Sequence, residues 1–196
     1  METSLEHVHE LEPHIKVARA RAGVLMLILS DALAALAILA AGGYLRTLNT
    51  EGQYKVAGDF APAYLPGLLI AIALVLSGLA YYWWERRASK PGGAGQTPFF
   101  LLALVLMLVA GVSETWIGAS LRYGMPIQAY ESVQLLLPWF TAVHLLLAVF
   151  IGLLLGGRIL RGRLAGHEFI VEVVGYWWYY TVVASVLLWL FGVYLT

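Results

Sequence analysis

The chain has 196 residues, 61% of them hydrophobic and only 12% charged, and a mean hydropathy of +0.79. A soluble domain carries about 25% charged residues, so this composition specifies an integral membrane protein. Twelve basic and twelve acidic residues cancel, which argues against a nucleic-acid surface, and the lack of cysteine removes disulfides, iron–sulfur ligation, zinc–thiolate sites and thiol nucleophiles.

The first residues are acidic (Glu2, Glu6, Glu10 and Glu12), whereas a secretory signal opens with a basic region. A polar cytoplasmic tail is expected over residues 1–16. His7, His9 and His14 lie in it, and a histidine pair spaced by one residue can hold a metal. In a solvated acidic segment the plainer expectation is that these rings are simply hydrated.

From residue 17 onward five stretches are long and apolar enough to cross about 30 Å of hydrocarbon. They run roughly over Ala22–Leu45, Leu65–Trp84, Pro98–Leu121, Ser132–Gly157 and Phe169–Leu195. A lone open sheet would leave backbone groups unsatisfied in lipid, and the alternation of barrel strands is absent. The expected fold is therefore all-α, a bundle of five transmembrane helices.

The connections carry the orientation. Lys16, Arg19 and Arg21 precede the first span. Arg86, Arg87 and Lys90 follow the second, and Arg158, Arg161 and Arg163 follow the fourth. The opposite side has Arg46, Lys55 and Arg122. By the positive-inside rule the N-terminus is cytoplasmic and the C-terminus outside. Tyr81, Tyr82, Trp83 and Trp84 would anchor the inner interface, and Trp116, Tyr123 and Trp139 the outer one. The linker Ser89–Thr97 is glycine-rich and flexible, and the outer loop Arg46–Tyr64 is polar. Gly152 and Gly156 form a GxxxG pattern that marks close helix packing.

Four of the spans carry an ionisable group: Asp31, Glu114, His144 and Glu172. At 1.5 Å per residue, Asp31 and His144 fall near mid-membrane and Glu114 in the outer half. A polar group at that depth is expensive unless it has a partner or a wet cavity. Asp31, Glu114 and His144 could meet in one cluster if the first, third and fourth spans are neighbours. Three readings stand: a structural or lipid-linked brace, a proton or ion path, and haem ligation. The last needs a second histidine at similar depth, which no other span supplies. Glu172, at the start of the fifth span, reads as a favourable charge at a helix N-terminus. No nucleophile–base set is visible.

Residues of the C-terminal half resemble subunit III of the haem-copper oxidases. That family has a helix with the pattern FHGxHV, a basic loop, and a final helix that opens with glutamate and runs into WYWHFVDxVW. The matching stretches are Phe140-Thr141-Ala142-Val143-His144-Leu145, the loop Arg158–His167, and Glu172 followed by Val173 to Tyr180. His144 falls on the family's second histidine. In the N-terminal half Ser30-Asp31 stands where the family has a mid-membrane SE pair, and Glu114-Thr115-Trp116 is similar to a glutamate before tryptophan. The likeness spans about Val17 to the C-terminus and is to the five-helix form. Thr141, Tyr179, Val182 and Ser185 depart from the pattern, replacing two histidines, an aspartate and a tryptophan.

The resemblance implies a non-catalytic subunit of a terminal oxidase in the inner membrane of a prokaryote, partnered by catalytic subunit I and by subunit II. Haem and copper belong to those partners, with none in this chain, and phospholipid is bound here. Asp31, Glu114 and His144 are then the buried polar cluster, and Glu172 and Trp177 lie near a lipid headgroup or an interface. The departures leave open an accessory subunit of a nitric oxide reductase or another respiratory complex. A free-standing proton or ion transporter is the other alternative, although the odd helix number and lack of an inverted repeat weigh against it.

Overall fold

The computed structural model describes residues 13–48, 54, 64–88, 97–121, 129–164 and 167–195. The N-terminal tail with His7 and His9, the linker 89–96, most of the stretch 49–63, and Arg122 and Tyr123 lie outside the described residues. Among the described residues there are five helices and no strand: α1 (Pro13–Thr47), α2 (Tyr64–Ala88), α3 (Thr97–Ser120), α4 (Ala129–Leu160) and α5 (Phe169–Tyr194). Each is long and apolar enough to span a membrane.

Four helices keep their expected bounds to within a few residues. The first does not: α1 has 35 residues, about 52 Å at 1.5 Å per residue. Its extra turns are the basic segment containing Lys16, Arg19 and Arg21. Nothing there breaks a helix, and Pro13 stands at the first position, where its missing N–H costs nothing.

α3 packs along α2 and α4, and α5 crosses α2, α4 and α1. The first helix is peripheral, leaning on α5 and less on α4, with no extensive contact to α2 or α3. It runs parallel to α5. At one end Arg21 Nη2 donates to Glu172 Oε2 at 2.6 Å, and at the other Arg46 Nη1 donates to the Tyr194 carbonyl at 2.5 Å. Its outward surface carries Leu25, Leu29, Leu33 and Leu36, all exposed, as a helix facing acyl chains requires.

The centre of the bundle is aromatic. Tyr81, Trp84, Phe100 and Trp178 are fully or almost fully buried. Tyr81 stacks on Trp178 with ring centroids 4.9 Å apart. The Trp178 indole N–H donates to Ser77 Oγ at 3.1 Å, and Ser77 in turn donates to the Ala103 carbonyl at 2.7 Å, joining α5, α2 and α3 through one buried chain. Tyr81 donates to the Val171 carbonyl at 2.8 Å, holding α2 to the first turn of α5. The anchoring role expected for the whole run Tyr81–Trp84 is therefore corrected. Four consecutive residues wind around the helix, so Tyr81 and Trp84 point into the core while Tyr82 and Trp83 face outward.

The GxxxG pair does mark close packing. A Cβ on Gly152 would lie 2.8 Å from Leu104 Cδ1 and 3.0 Å from the Trp178 ring, and one on Gly156 would lie 3.3 Å from Phe100. Gly152 is thus the point where α3, α4 and α5 meet. Gly152→Ala is expected to lower bundle stability by about 1–3 kcal/mol through overpacking. Thermal unfolding in detergent measures this, and a melting temperature equal to the wild type's would show that the three-helix contact is loose.

Candidate functional site

In mid-bundle, side chains from three helices converge. His144 on α4 bonds through Nε2 to Asp31 Oδ1 on α1 at 2.7 Å. Tyr180 on α5 donates its hydroxyl to Asp31 Oδ2 at 2.6 Å. The other imidazole nitrogen, His144 Nδ1, lies 2.6 Å from the Phe140 carbonyl of its own helix. Along α1, Asp31 is about 15 Å from Arg21 and about 22 Å from Arg46 at 1.5 Å per residue, so the site sits deep between the two ends that these arginines tie to α5.

The hydrogen bonds decide the proton arrangement. A carbonyl only accepts, so Nδ1 must carry a proton. Nε2 then faces the carboxyl with one proton between them, held as imidazolium and carboxylate or as imidazole and carboxylic acid. Both forms have no net charge. The pair therefore avoids the cost of an isolated buried ion, and both carboxyl oxygens are occupied. The side chains of Asp31 and His144 are each 16% exposed. Trp177, 3% exposed, packs beside the pair with its ring centroid 6.1 Å from His144 and 5.6 Å from Tyr180.

Glu114 stands apart. It is 8% exposed, and neither Asp31 nor His144 hydrogen-bonds to it. The physical reason is the peripheral position of α1, which does not pack along α3. Glu114 instead lines a cavity of about 60 Å³ between α2, α3, α4 and α5, together with Gln134, Thr141 and Trp189. The expected three-residue cluster is thus a pair with Tyr180, plus a separate carboxyl.

Glu172 accepts from Arg21 and also from the Tyr176 hydroxyl one turn along α5. It is tied to α1 as well as placed at a helix start. Glu85, at the end of α2, accepts from Tyr179. In the sequence Tyr176 and Tyr180 are only members of an aromatic run, and Tyr179 stands out only as a departure from the family pattern. Their signal was the presence of three hydroxyls in a span whose neighbours contribute buried acids. Among the described residues no three His, Asp or Glu side chains converge as ligands for a metal ion.

No protein-family model matches the chain, and no curated protein matches it.

His144→Leu leaves Asp31 buried with Tyr180 as its one remaining donor. It is expected to cost about 2–3 kcal/mol of bundle stability, whereas His144→Leu with Asp31→Leu recovers most of the loss because neither charge is stranded. Thermal unfolding of the single and double variants in detergent measures this; an unchanged single variant would show that the pair is not formed.

Proposed function

We propose that the chain is a non-catalytic subunit III of a haem-copper terminal oxidase, in its five-helix form. On this reading it lies in the inner membrane of a prokaryote beside catalytic subunit I and subunit II, braces subunit I, and binds phospholipid. The observation that carries the reading is the contact between Asp31 and His144 at 2.7 Å. These two positions carry the resemblance from opposite halves of the chain, 113 residues apart. Depth alone did not require them to be neighbours.

Other features support it. Lys16, Arg19, Arg21, Arg86, Arg87, Arg158, Arg161 and Arg163 belong to helix ends on one side of the bundle. This is the distribution of a protein with a cytoplasmic N-terminus and an outer C-terminus. The flank of α1 that α2 and α3 leave uncovered offers a place for an acyl chain. A neutral histidine–carboxyl pair that ties a peripheral helix to the bundle suits a supporting role. It does not by itself supply the open coordination positions that redox chemistry needs.

Purification of the native assembly through a tag on this chain tests the reading. Co-purifying large subunits with haem absorbance are the expected result; a lone pigment-free protein that carries ions in liposomes would overturn it. Within the assembly, Asp31→Asn is expected to leave subunit association intact while altering inactivation during turnover or the retained phospholipid. Unchanged behaviour in both assays would remove the proposed role of Asp31.

A further inference from the structure

A carboxyl deep in a membrane bundle cannot stand as an isolated anion; its charge is cancelled by a proton or by a cation. Glu114 is more than nine-tenths buried and lines the cavity of about 60 Å³, with no hydrogen bond or nearby charge from any described residue. None of the other lining side chains is titratable, so the wall holds no basic group to pair with it. What the wall does hold is neutral oxygen. Gln134, 5% exposed, donates its amide N–H to the Gly192 carbonyl at 2.9 Å, which leaves its side-chain oxygen to accept. Pro138 lacks the N–H that would pair with the Gln134 backbone carbonyl, so a second acceptor is released. Thr141, also 5% exposed, adds a hydroxyl oxygen that can accept whichever way its proton points.

The packing of α3 on α4 sets the register of these groups. A Cβ on Gly111 would meet Leu145 and Leu146, and one on Gly118 would meet Trp139. Glu114, between the two glycines, is therefore level with the turn of α4 that carries Thr141. Helix carbonyls point toward the C-terminus, so the Gln134 carbonyl that Pro138 frees is directed toward that same turn. The Gln134 side-chain oxygen lies farther along, beside Gly192. One acid and three neutral oxygens thus border one space whose remaining walls are mostly apolar. A water needs about 10–15 Å³ on this measure, so the cavity has room for a small ion with a few waters.

We propose that the cavity binds one alkali-metal cation, sodium or potassium, with the Glu114 carboxylate as its counter-charge, Thr141 and Gln134 as neutral oxygen ligands, and water in the remaining positions. The donor set is all oxygen, which suits hard cations rather than transition metals. A single carboxylate balances a single positive charge, whereas a divalent ion would leave a net charge at membrane depth. This is why the site needs no cluster of acids. Binding exchanges a proton for the ion: the carboxyl O–H bond breaks, the proton leaves on water, and the metal takes its place, so the cavity stays neutral. Leu121, just past α3, and Val193, in the last turn of α5, border the cavity and mark the end of the bundle from which the ion enters. Neither Asp31 nor His144 lines this space. The site does not depend on which complex the chain serves, and its failure would leave the subunit reading untouched.

Thermal unfolding and infrared spectroscopy of the full chain, moved from choline chloride into sodium or potassium chloride at equal ionic strength, test it. The melting temperature is expected to rise and saturate with sodium or potassium, as binding to the folded state requires. In the same titration a carboxylic-acid band assigned to Glu114 gives way to a carboxylate band, and the ion that acts at the lower concentration is the occupant. Glu114→Gln loses both responses, and Glu114→Asp keeps them, which separates a lost ligand from a misfolded chain. Thr141→Val raises the half-saturating concentration about tenfold, the effect of losing one polar contact, and Thr141→Ser restores it. Equal melting in all three salts would overturn the proposal. So would a Glu114 acid band that persists at high sodium and potassium, which leaves water as the occupant, or an ion response that survives in Glu114→Gln.

Discussion

A carboxyl group in the middle of a lipid-facing helix cannot be left alone, and that constraint shapes this bundle. α1 is the least buried of the five helices: Val24, Ile28, Ile38, Leu39 and Leu45 pack on the core, but its exposed leucines are as well solvated by acyl chains as by protein. Packing alone gives such a helix little reason to stay. Asp31 supplies the reason. Carried into the bilayer, it needs donors, and His144 and Tyr180 provide them from α4 and α5. Detaching α1 would strand all three groups in hydrocarbon. The pair does this without net charge, so its energy is set by hydrogen bonds that have no good substitute in lipid.

The fifth helix organises the acids. Within a single run Tyr176, Tyr179 and Tyr180 each donate to a different carboxylate, on α5 itself, on α2 and on α1 respectively. Their spacing of three and four residues keeps them on neighbouring faces. Gly175 belongs to the same arrangement: a Cβ there would come within 3.2 Å of both Glu85 carboxyl oxygens, so the absence of a side chain lets α2 bring its acid close. Trp177 and Trp178, between these tyrosines, fill the core instead. The aromatic run is thus both a packing surface and a set of hydrogen-bond donors.

Much of this was legible from the residues. The five spans follow from apolar length, and Asp31 with His144 from the expense of polar groups at matching depths. Other features were not, for identifiable reasons. Glu114 lies at a depth that suggests contact with the pair, but depth does not say which helices are neighbours, and α1 does not pack along α3. Tyr180 was concealed within a run read as a motif, where its hydroxyl was not assigned to any acid. For Tyr81 and Trp84 the signal was present, because four successive aromatic residues on a helix cannot all face the headgroups. The length of α1 was underestimated because its first turns are basic, and charge ends a hydrophobic stretch without ending a helix.

The most direct measurement is the separation of His144 and Asp31 in a bilayer, read as the dipolar coupling between a nitrogen-labelled His144 ring and a carbon-labelled Asp31 carboxyl. A direct hydrogen bond, with Nε2 and Oδ1 at 2.7 Å, requires a strong coupling that disappears in Asp31→Leu. If the labelled wild-type chain shows no coupling, the two groups face apart, and the mid-bundle bond between α1 and α4 does not exist.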